Sequence, residues 1–113
     1  MSIRRKILIA AMGAGLALCG VASASANTWQ DNHPRRVEVN TRLERQDARI
    51  DRDLRDGRIT AKQAAYLHAK DRMIRMHERR LAALHEGHLT PGEQMRLNHQ
   101  ENNVSHNIYR DAH

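Results

Sequence analysis

The chain has 113 residues and a formal net charge of +6, with 28% charged residues and 3% aromatic residues. This length limits it to one small domain, and its single cysteine excludes an internal disulfide framework. The sequence has no phosphate-binding loop, no HExxH motif and no credible Ser/His/Asp arrangement, so we expect it not to be an enzyme.

The first 26 residues have the pattern of a secretory signal peptide. Three basic residues at positions 4–6 precede an uncharged run at 7–21, and Ala24-Ser25-Ala26 matches the small residues that signal peptidase accepts. The uncharged run is about 15 residues long, whereas a helix needs about 20 to span a bilayer. We therefore predict cleavage after Ala26, a periplasmic location, and a mature chain without a transmembrane span.

The single cysteine, Cys19, lies inside the uncharged run and follows Leu18. A lipidated cysteine normally follows a small residue, so we interpret Cys19 as part of the apolar segment of the signal. The predicted mature chain then has no thiol, which excludes a nucleophilic cysteine from it.

Basic charge is concentrated in the middle of the chain. Residues 35–80 contain 14 basic and 8 acidic side chains, whereas residues 81–113 contain 2 basic and 4 acidic ones. A basic segment favours anionic partners, and an exported chain meets an anionic envelope surface rather than nucleic acid. The alternative is a solvated helix surface whose charges pair with one another.

Three helices are predicted after a polar segment. Residues 27–36 contain Pro34, and we interpret them as a flexible arm. Residues 37–113 are rich in helix-forming residues between a few glycine and proline breaks, and this indicates an all-α domain. We place the helices at about 37–56, 60–86 and 90–110.

An internal repeat with a spacing of 30 residues organises the domain and pairs Gly57 with Gly87 and Thr60 with Thr90. A glycine suits the left-handed residue after a helix end. Each threonine is followed three residues later by Gln or Glu, as in a capping box. In the second copy, Pro91 occupies the first helical position. The repeat therefore predicts two tight turns between helices.

Helical periodicity places the large apolar residues of each predicted helix on one face. These residues are Val39, Leu43, Ile50 and Leu54 in the first helix, Tyr66, Leu67, Met73, Ile74, Leu81 and Leu84 in the second, and Leu97, Val104 and Ile108 in the third. Recurring seven-residue steps favour a three-helix antiparallel bundle or coiled-coil-like helical hairpins. The third helix is rich in asparagine, so we expect its C-terminal end to fray unless a partner covers it. The core is thin, and a homodimer that buries more surface is an alternative to a monomer.

Four arginines of the first helix, Arg42, Arg45, Arg49 and Arg52, lie away from its apolar face on the helical wheel. We predict that they contact a partner protein or an anionic envelope surface such as lipopolysaccharide. The chain is then a non-enzymatic helical binding module. Small helical periplasmic stress-response proteins are an analogy in size and class only.

The alternative function is a weak metal buffer for Cu, Ag or Zn. Seven of the eight histidines lie in residues 68–113, and Met95 and His99 are four residues apart on one helix face. Thioether and imidazole ligands favour soft ions. His106 lies about two turns from His99, about 10.5 Å, which is too far to share one ion. Aligned with a calcium loop, either turn offers at most two carboxylates, so calcium binding is not expected.

Histidine also offers a pH-sensing role. His77 falls on the predicted seam between helices, and its protonation there would loosen the packing. The alternative is a histidine whose hydrogen bonds are satisfied at the interface.

Three parts of the chain resemble a known family. They are the run His33-Pro34-Arg35-Arg36 with Glu38-Val39-Asn40, the two turn motifs, and a tail with Leu97-Asn98, Asn103, Ser105, Ile108-Tyr109, Asp111 and His113. The chain resembles a family of small, exported, uncharacterised proteobacterial proteins with two helical-hairpin turns. This resemblance covers nearly the whole mature chain and implies its fold and compartment only. Gln63 departs from the Glu that the family usually carries at the first turn.

Overall fold

The computed structural model describes residues 28–113, within which His33–His113 form one compact unit. This unit consists of α1 (Pro34–Arg55), α2 (Ala61–Leu84) and α3 (Pro91–Ala112). Residues 28–32 are also helical, and residues 28–113 contain no strand. The all-α prediction is confirmed. The predicted signal peptide at 1–26 lies outside the described residues.

The first helix begins earlier than predicted. The flexible arm expected over residues 27–36 is wrong, because residues 28–32 are helical and α1 already starts at Pro34. A proline costs no hydrogen bond at the first helical position. The first turn is also fixed by tertiary contacts, since Arg36 Nε lies 2.5 Å from Glu78 Oε1 on α2. These contacts explain why a polar segment is helical here.

Both predicted turns are confirmed. Gly57 and Gly87 have φ angles of +74° and +93°, which a side chain would strain. The Thr60 hydroxyl accepts a 3.0 Å hydrogen bond from the Gln63 N–H, and the Gln63 side chain accepts one of 2.9 Å from the Thr60 N–H. Thr90 and the glutamate three residues after it form the same reciprocal pair. Gln63 therefore completes a capping box as Glu would.

All three helices pack against one another. The two short turns fold α2 back on α1 and α3 back on α2, so α1 and α3 run in the same direction. Contacts between these two helices advance in parallel order: Gln94 Nε2 lies 2.7 Å from Glu38 Oε2, and Arg49 Nη1 lies 3.2 Å from Ser105 Oγ. The structure is thus an up-down-up bundle, as the sequence predicts.

The core is mainly aliphatic, with six buried polar side chains among residues 28–113. The buried apolar residues are Val39, Leu43, Ile50, Ile59, Ala64, Leu67, Ile74, Ala82, Leu89, Leu97, Val104 and Ile108. The predicted α2 face was wrong at Tyr66, Met73 and Leu84, which are more than half exposed. Asp71 and Glu78 are buried instead. The seven-residue repeat of α2 places these two positions on the seam with Leu67 and Ile74.

Two smaller expectations also differ. Leu54 is 38% exposed, and the next buried position before it is Asp53. The third helix continues to Ala112 rather than fraying. Ile108 is fully buried near this end, so packing offsets the low helix propensity of the preceding asparagines.

Candidate functional site

The solvent-facing side of α2 carries positive charge only. The helix has two acidic residues, Asp71 and Glu78, and each is 1% exposed. Its basic residues are all exposed or half-buried, and they are Lys62, Lys70, Arg72, Arg75, Arg79 and Arg80. Burying both carboxylates therefore leaves a cationic surface on α2 that no acidic residue of this helix balances, although Arg75 lies 4.0 Å from Asp47 on α1.

An open groove of about 400 Å³ lies between α2 and α3, and we call it the α2–α3 groove. Ile74 and Val104 form its buried floor. Met73 and Met76 line it and are 68% and 56% exposed. Methionine is flexible and polarisable, so it adapts to apolar ligands of different shape. The groove therefore presents adaptable apolar surface to solvent.

The edges of the groove are cationic and amidic. Lys70 and Arg80 lie on the α2 side, ten positions or about 15 Å apart along the helix. The α3 side contributes three side-chain amides, from Gln100, Asn103 and Asn107. Among the described residues that line the groove, none is acidic. Such a surface can hold apolar side chains while pairing carboxylates at its edge.

Within the groove, His77 joins the two helices. Its Nδ1 lies 3.3 Å from Gln100 Oε1 on α3. This position agrees with the seam predicted for His77 from the sequence. Its role as a pH sensor stays a prediction.

The four predicted contact arginines on α1 fall into two pairs. Arg42 donates to the Asn102 side chain on α3, and Arg49 donates to Ser105, so both are held against that helix. Arg45 and Arg52 are exposed. The structure therefore does not bring all four into one free surface. Their role in binding a partner stays a prediction. Arg45 and Arg52 are the two whose side chains are exposed for such a contact.

The predicted metal ligands, Met95, His99 and His106, all lie on exposed positions of α3. Met95 is 73% exposed. Across residues 28–113, no three or more His, Cys, Asp or Glu side chains gather in a way that could hold a metal ion. Soft-metal binding through Met95 and His99 stays a prediction, with His106 apart from that pair.

The histidines at the second turn each have a different neighbour. The rings of His33 and His88 stack with centroids 4.7 Å apart and planes at 9°. His85 Nε2 lies 3.1 Å from Glu93 Oε2. The pKa of Glu93 is lowered, first by the backbone N–H of Thr90 and further by this histidine. The turn geometry thus separates these side chains rather than joining them at one ligand.

A second unusual feature lies at mid-height in the core, where each helix contributes one polar side chain. We call Gln46, Asp71 and Glu101 the central polar layer; they are 5%, 1% and 0% exposed. Gln46 Nε2 donates a 2.8 Å hydrogen bond to the backbone oxygen of Glu101. No donor in the described part of the chain reaches either carboxyl oxygen of Asp71 or Glu101. Burial of unpartnered carboxylates strongly favours their neutral form.

Burial raises the pKa of both carboxyls. It raises the pKa of Asp71 to about 8, with further increases from a hydrogen bond with Asp47 and from the charges of Asp47 and Glu101. Burial also raises the pKa of Glu101 to about 7, against the opposing effect of Arg42 and with a further increase from Glu38. Both groups therefore change charge near neutral pH.

A histidine next to this layer is held by two aspartates of α1. His68 Nδ1 lies 2.9 Å from Asp47 Oδ1, and Nε2 lies 2.8 Å from Asp51 Oδ1. Burial lowers the pKa of His68, but the two carboxylates outweigh it, and the net pKa is raised. The protonated ring donates to both aspartates, and so ties α2 to α1.

Sequence reasoning missed both the groove and the central polar layer. It placed Met73 on the apolar face of the second helix and did not single out Asp71 or Glu78, whereas the structure exposes Met73 and buries both carboxyls. The available signal was the seven-residue spacing of Asp71 and Glu78, which follows the same repeat as Leu67 and Ile74.

Comparison of the chain with family models, with curated proteins and with solved structures finds no match. None of the helices in residues 28–113 has an apolar stretch long enough to cross a membrane. Function is therefore inferred from the chemistry of the groove and of the polar layer.

Proposed function

We propose that this protein is a non-enzymatic helical binding module, and that its α2–α3 groove binds a segment of a partner protein with large apolar and acidic side chains. The single observation that carries this proposal is the burial of Asp71 and Glu78. It leaves α2 with exposed methionines and cations and with no exposed carboxylate. Exposed apolar surface of this kind is typical of interaction sites.

The shape of the site favours a polypeptide over a flat lipid surface. Ile74 and Val104 are buried at the floor, and the walls on both sides rise from packed helices. An amphipathic helix can lay its apolar face in such a groove. Lys70 and Arg80 are spaced to meet carboxylates about three turns apart on the bound segment.

We also propose that binding takes place in the periplasm. The basic start, short apolar run and small-x-small site of residues 1–26 support this compartment. Mass spectrometry of the protein recovered from a periplasmic extract tests it, since the expected mature N-terminus is Asn27.

The binding test uses a fluorescein-labelled amphipathic peptide of 16 residues with Leu on one face and Glu on the other. Fluorescence anisotropy should show saturable binding that weakens as salt is added, because the charge pairs are exposed. The same peptide with Lys in place of Glu should bind at least about tenfold more weakly, a difference of about 1.4 kcal/mol. Equal affinity for both peptides contradicts the proposed charge complementarity.

A matched pair of variants locates the site. Met73→Glu places a carboxylate in the groove and should weaken binding of the acidic peptide about tenfold or more. Met95→Glu makes the same change at a similarly exposed methionine outside the groove and should have little effect. Equal losses in both variants would place binding elsewhere.

Two other ligands separate the alternatives. Vesicles of phosphatidylglycerol test for an anionic surface, and strong binding that Arg45→Gln with Arg52→Gln abolishes would favour the α1 arginines over the groove. Anaerobic titration with Cu(I), Ag(I) and Zn(II) tests the metal alternative. Binding tighter than about 10 µM, roughly −7 kcal/mol, that is lost in His99→Ala would favour it.

A further inference from the structure

The central polar layer occupies the middle of the bundle. Gln46, Asp71 and Glu101 come from three different helices, and each lies near the midpoint of its helix. Both carboxyl groups and Gln46 Oε1 receive no hydrogen bond from a donor among residues 28–113. A buried carboxylate without a donor is strongly disfavoured, whereas a neutral carboxylic acid gains a proton to donate.

The charges around Asp71 also favour its neutral form. On α1 it faces Asp47, which is hydrogen-bonded to His68 and lies 4.0 Å from Arg75. On α3 it faces Glu101. Protonated Asp71 can donate a hydrogen bond to Asp47. Ionised Asp71 instead places a further negative charge beside Asp47 and Glu101. Arg75 alone opposes this repulsion directly, and it is already directed at Asp47.

The charges around Glu101 oppose one another in their effect on its pKa. From α1, Arg42 favours its charge and Glu38 opposes it. Arg42 is also engaged with Asn98 and Asn102 on α3, so it is shared among several acceptors. Burial of Glu101 therefore remains the dominant effect.

We propose that the bundle is a proton-operated switch, closed when Asp71 and Glu101 are protonated and opening at its middle when both are ionised. In the open form water and counterions reach the two carboxylates, which requires α2 and α3 to separate around this layer. The switch does not depend on what the α2–α3 groove binds.

The direction of the pH effect follows from linkage. Asp71 and Glu101 have raised folded-state pKa values of about 8 and about 7, so the folded state binds more protons than the unfolded state below those values. Stability therefore falls as pH rises from about 5, by up to about tenfold in the folding equilibrium per pH unit for each carboxyl, and levels off above pH 8. His68 acts in the same direction, since its pKa is also raised.

The test combines urea unfolding with hydrogen exchange at pH 5.5, 7.0 and 8.5. Between the first and last pH, the folding equilibrium constant should fall about a hundredfold or more. After correction for the intrinsic exchange rate, amides near Asp71 and Glu101 should lose protection more than those near the two turns. A folding constant that is flat or rises over this range overturns the proposal.

Neutral variants supply the decisive comparison. Asp71→Asn with Glu101→Gln should remove most of the decrease in the folding equilibrium constant between pH 5.5 and 8.5. The decrease that remains is the part due to His68. Glu44→Gln with Asp56→Asn changes two exposed carboxylates and should keep the whole fall. If the buried double variant does not fold, Asp71→Asn and Glu101→Gln are measured singly. Each should remove the part of the decrease in the folding constant that its own carboxyl causes. Retention of the full fall in these variants overturns the switch.

A cation could in principle replace the protons. At pH 8.5, Mg²⁺ or Ca²⁺ should stabilise the protein no more than NaCl of equal ionic strength. Specific stabilisation by either ion, lost in Asp71→Asn, would make the layer a cation site and overturn its assignment as a proton switch.

Discussion

Gln46 on α1 and Glu101 on α3 are joined inside the core by a 2.8 Å hydrogen bond from the Gln46 amide to the Glu101 backbone oxygen. The bond helps set the register of two helices that run in the same direction. Aliphatic packing alone specifies register weakly, because a seven-residue shift restores a similar apolar seam. The polar layer thus supplies specificity, although its carboxyl groups lack donors among residues 28–113.

The first prediction concerns the stability that the protein loses by burying the ionised carboxylate of Glu101. Glu101→Met replaces a buried acid by an unbranched apolar side chain, and should stabilise the protein at pH 8 by on the order of 3 kcal/mol. The gain should nearly vanish at pH 5, where Glu101 is protonated in the folded state. Urea unfolding at both pH values measures it. A gain of equal size at both would show that packing, rather than charge, is responsible.

The second prediction compares two glycines that lie five positions apart, one in the second turn and one in the first turn of α3. Gly87→Ala should destabilise the protein by about 1–2 kcal/mol, since φ is +93° there and a residue with a Cβ is strained in that conformation. Gly92→Ala lies in the first turn of α3 with nothing within 4 Å of the added atom, and should stabilise by about 0.5–1 kcal/mol. Thermal unfolding measures both, and changes of the same sign would contradict the turn geometry.

The turns and the helix count could be predicted from sequence because they depend on local chemistry. Glycine at a left-handed position and threonine at an N-cap act within a few residues, and the structure has both at each turn. The start of α1 could not be predicted in this way. Arg36 reaches Glu78, 42 residues away, and that contact exists only after the chain has folded.

The third prediction separates the two pairs of α1 arginines. Arg42→Gln with Arg49→Gln should destabilise the bundle by about 1–3 kcal/mol, because each removes a contact to α3. Arg45→Gln with Arg52→Gln removes equal charge from exposed positions, and should change stability by less than about 0.5 kcal/mol. Urea unfolding at matched ionic strength compares them. Similar losses would mean that net charge, rather than the contacts, sets stability.

The fourth prediction concerns His68. Its raised pKa means that it contributes stability fully below pH 6.5 and loses this contribution as pH rises through the folded-state value. Asp51→Asn removes one of the two carboxylates and should lower the pKa of His68 in an NMR titration. Asp56→Asn, an exposed change near the end of the same helix, is the control. A pKa of His68 unchanged by Asp51→Asn would show that the ring is not held as the structure describes.

Little of the candidate site could be predicted, and the reason is physical. Sequence patterns assign charged residues to solvent and methionines to the core, since burial of a lone charge is unfavourable. In α2 this preference is reversed at Asp71 and Met73. Packing against α1 and α3 determines which side chains of α2 are buried, because only the residues of α2 that face those helices lie in the core. The seven-residue spacing within α2 marks these seam positions, but it does not by itself show which side chains the neighbouring helices bury.

The fifth prediction tests the groove through methionine oxidation. Met73, Met76 and Met95 are each more than half exposed, so dilute hydrogen peroxide should oxidise all three at similar rates in the free protein. Saturation with the acidic amphipathic peptide should slow oxidation of Met73 and Met76 several-fold, because both line the groove, and should leave Met95 unchanged. Peptide mapping by mass spectrometry resolves the three sites. The Lys-containing peptide at the same concentration is the control and should protect none of them. Protection of Met95 to the same extent would mean that the peptide covers the surface nonspecifically, and protection of no methionine would place its binding site outside the groove.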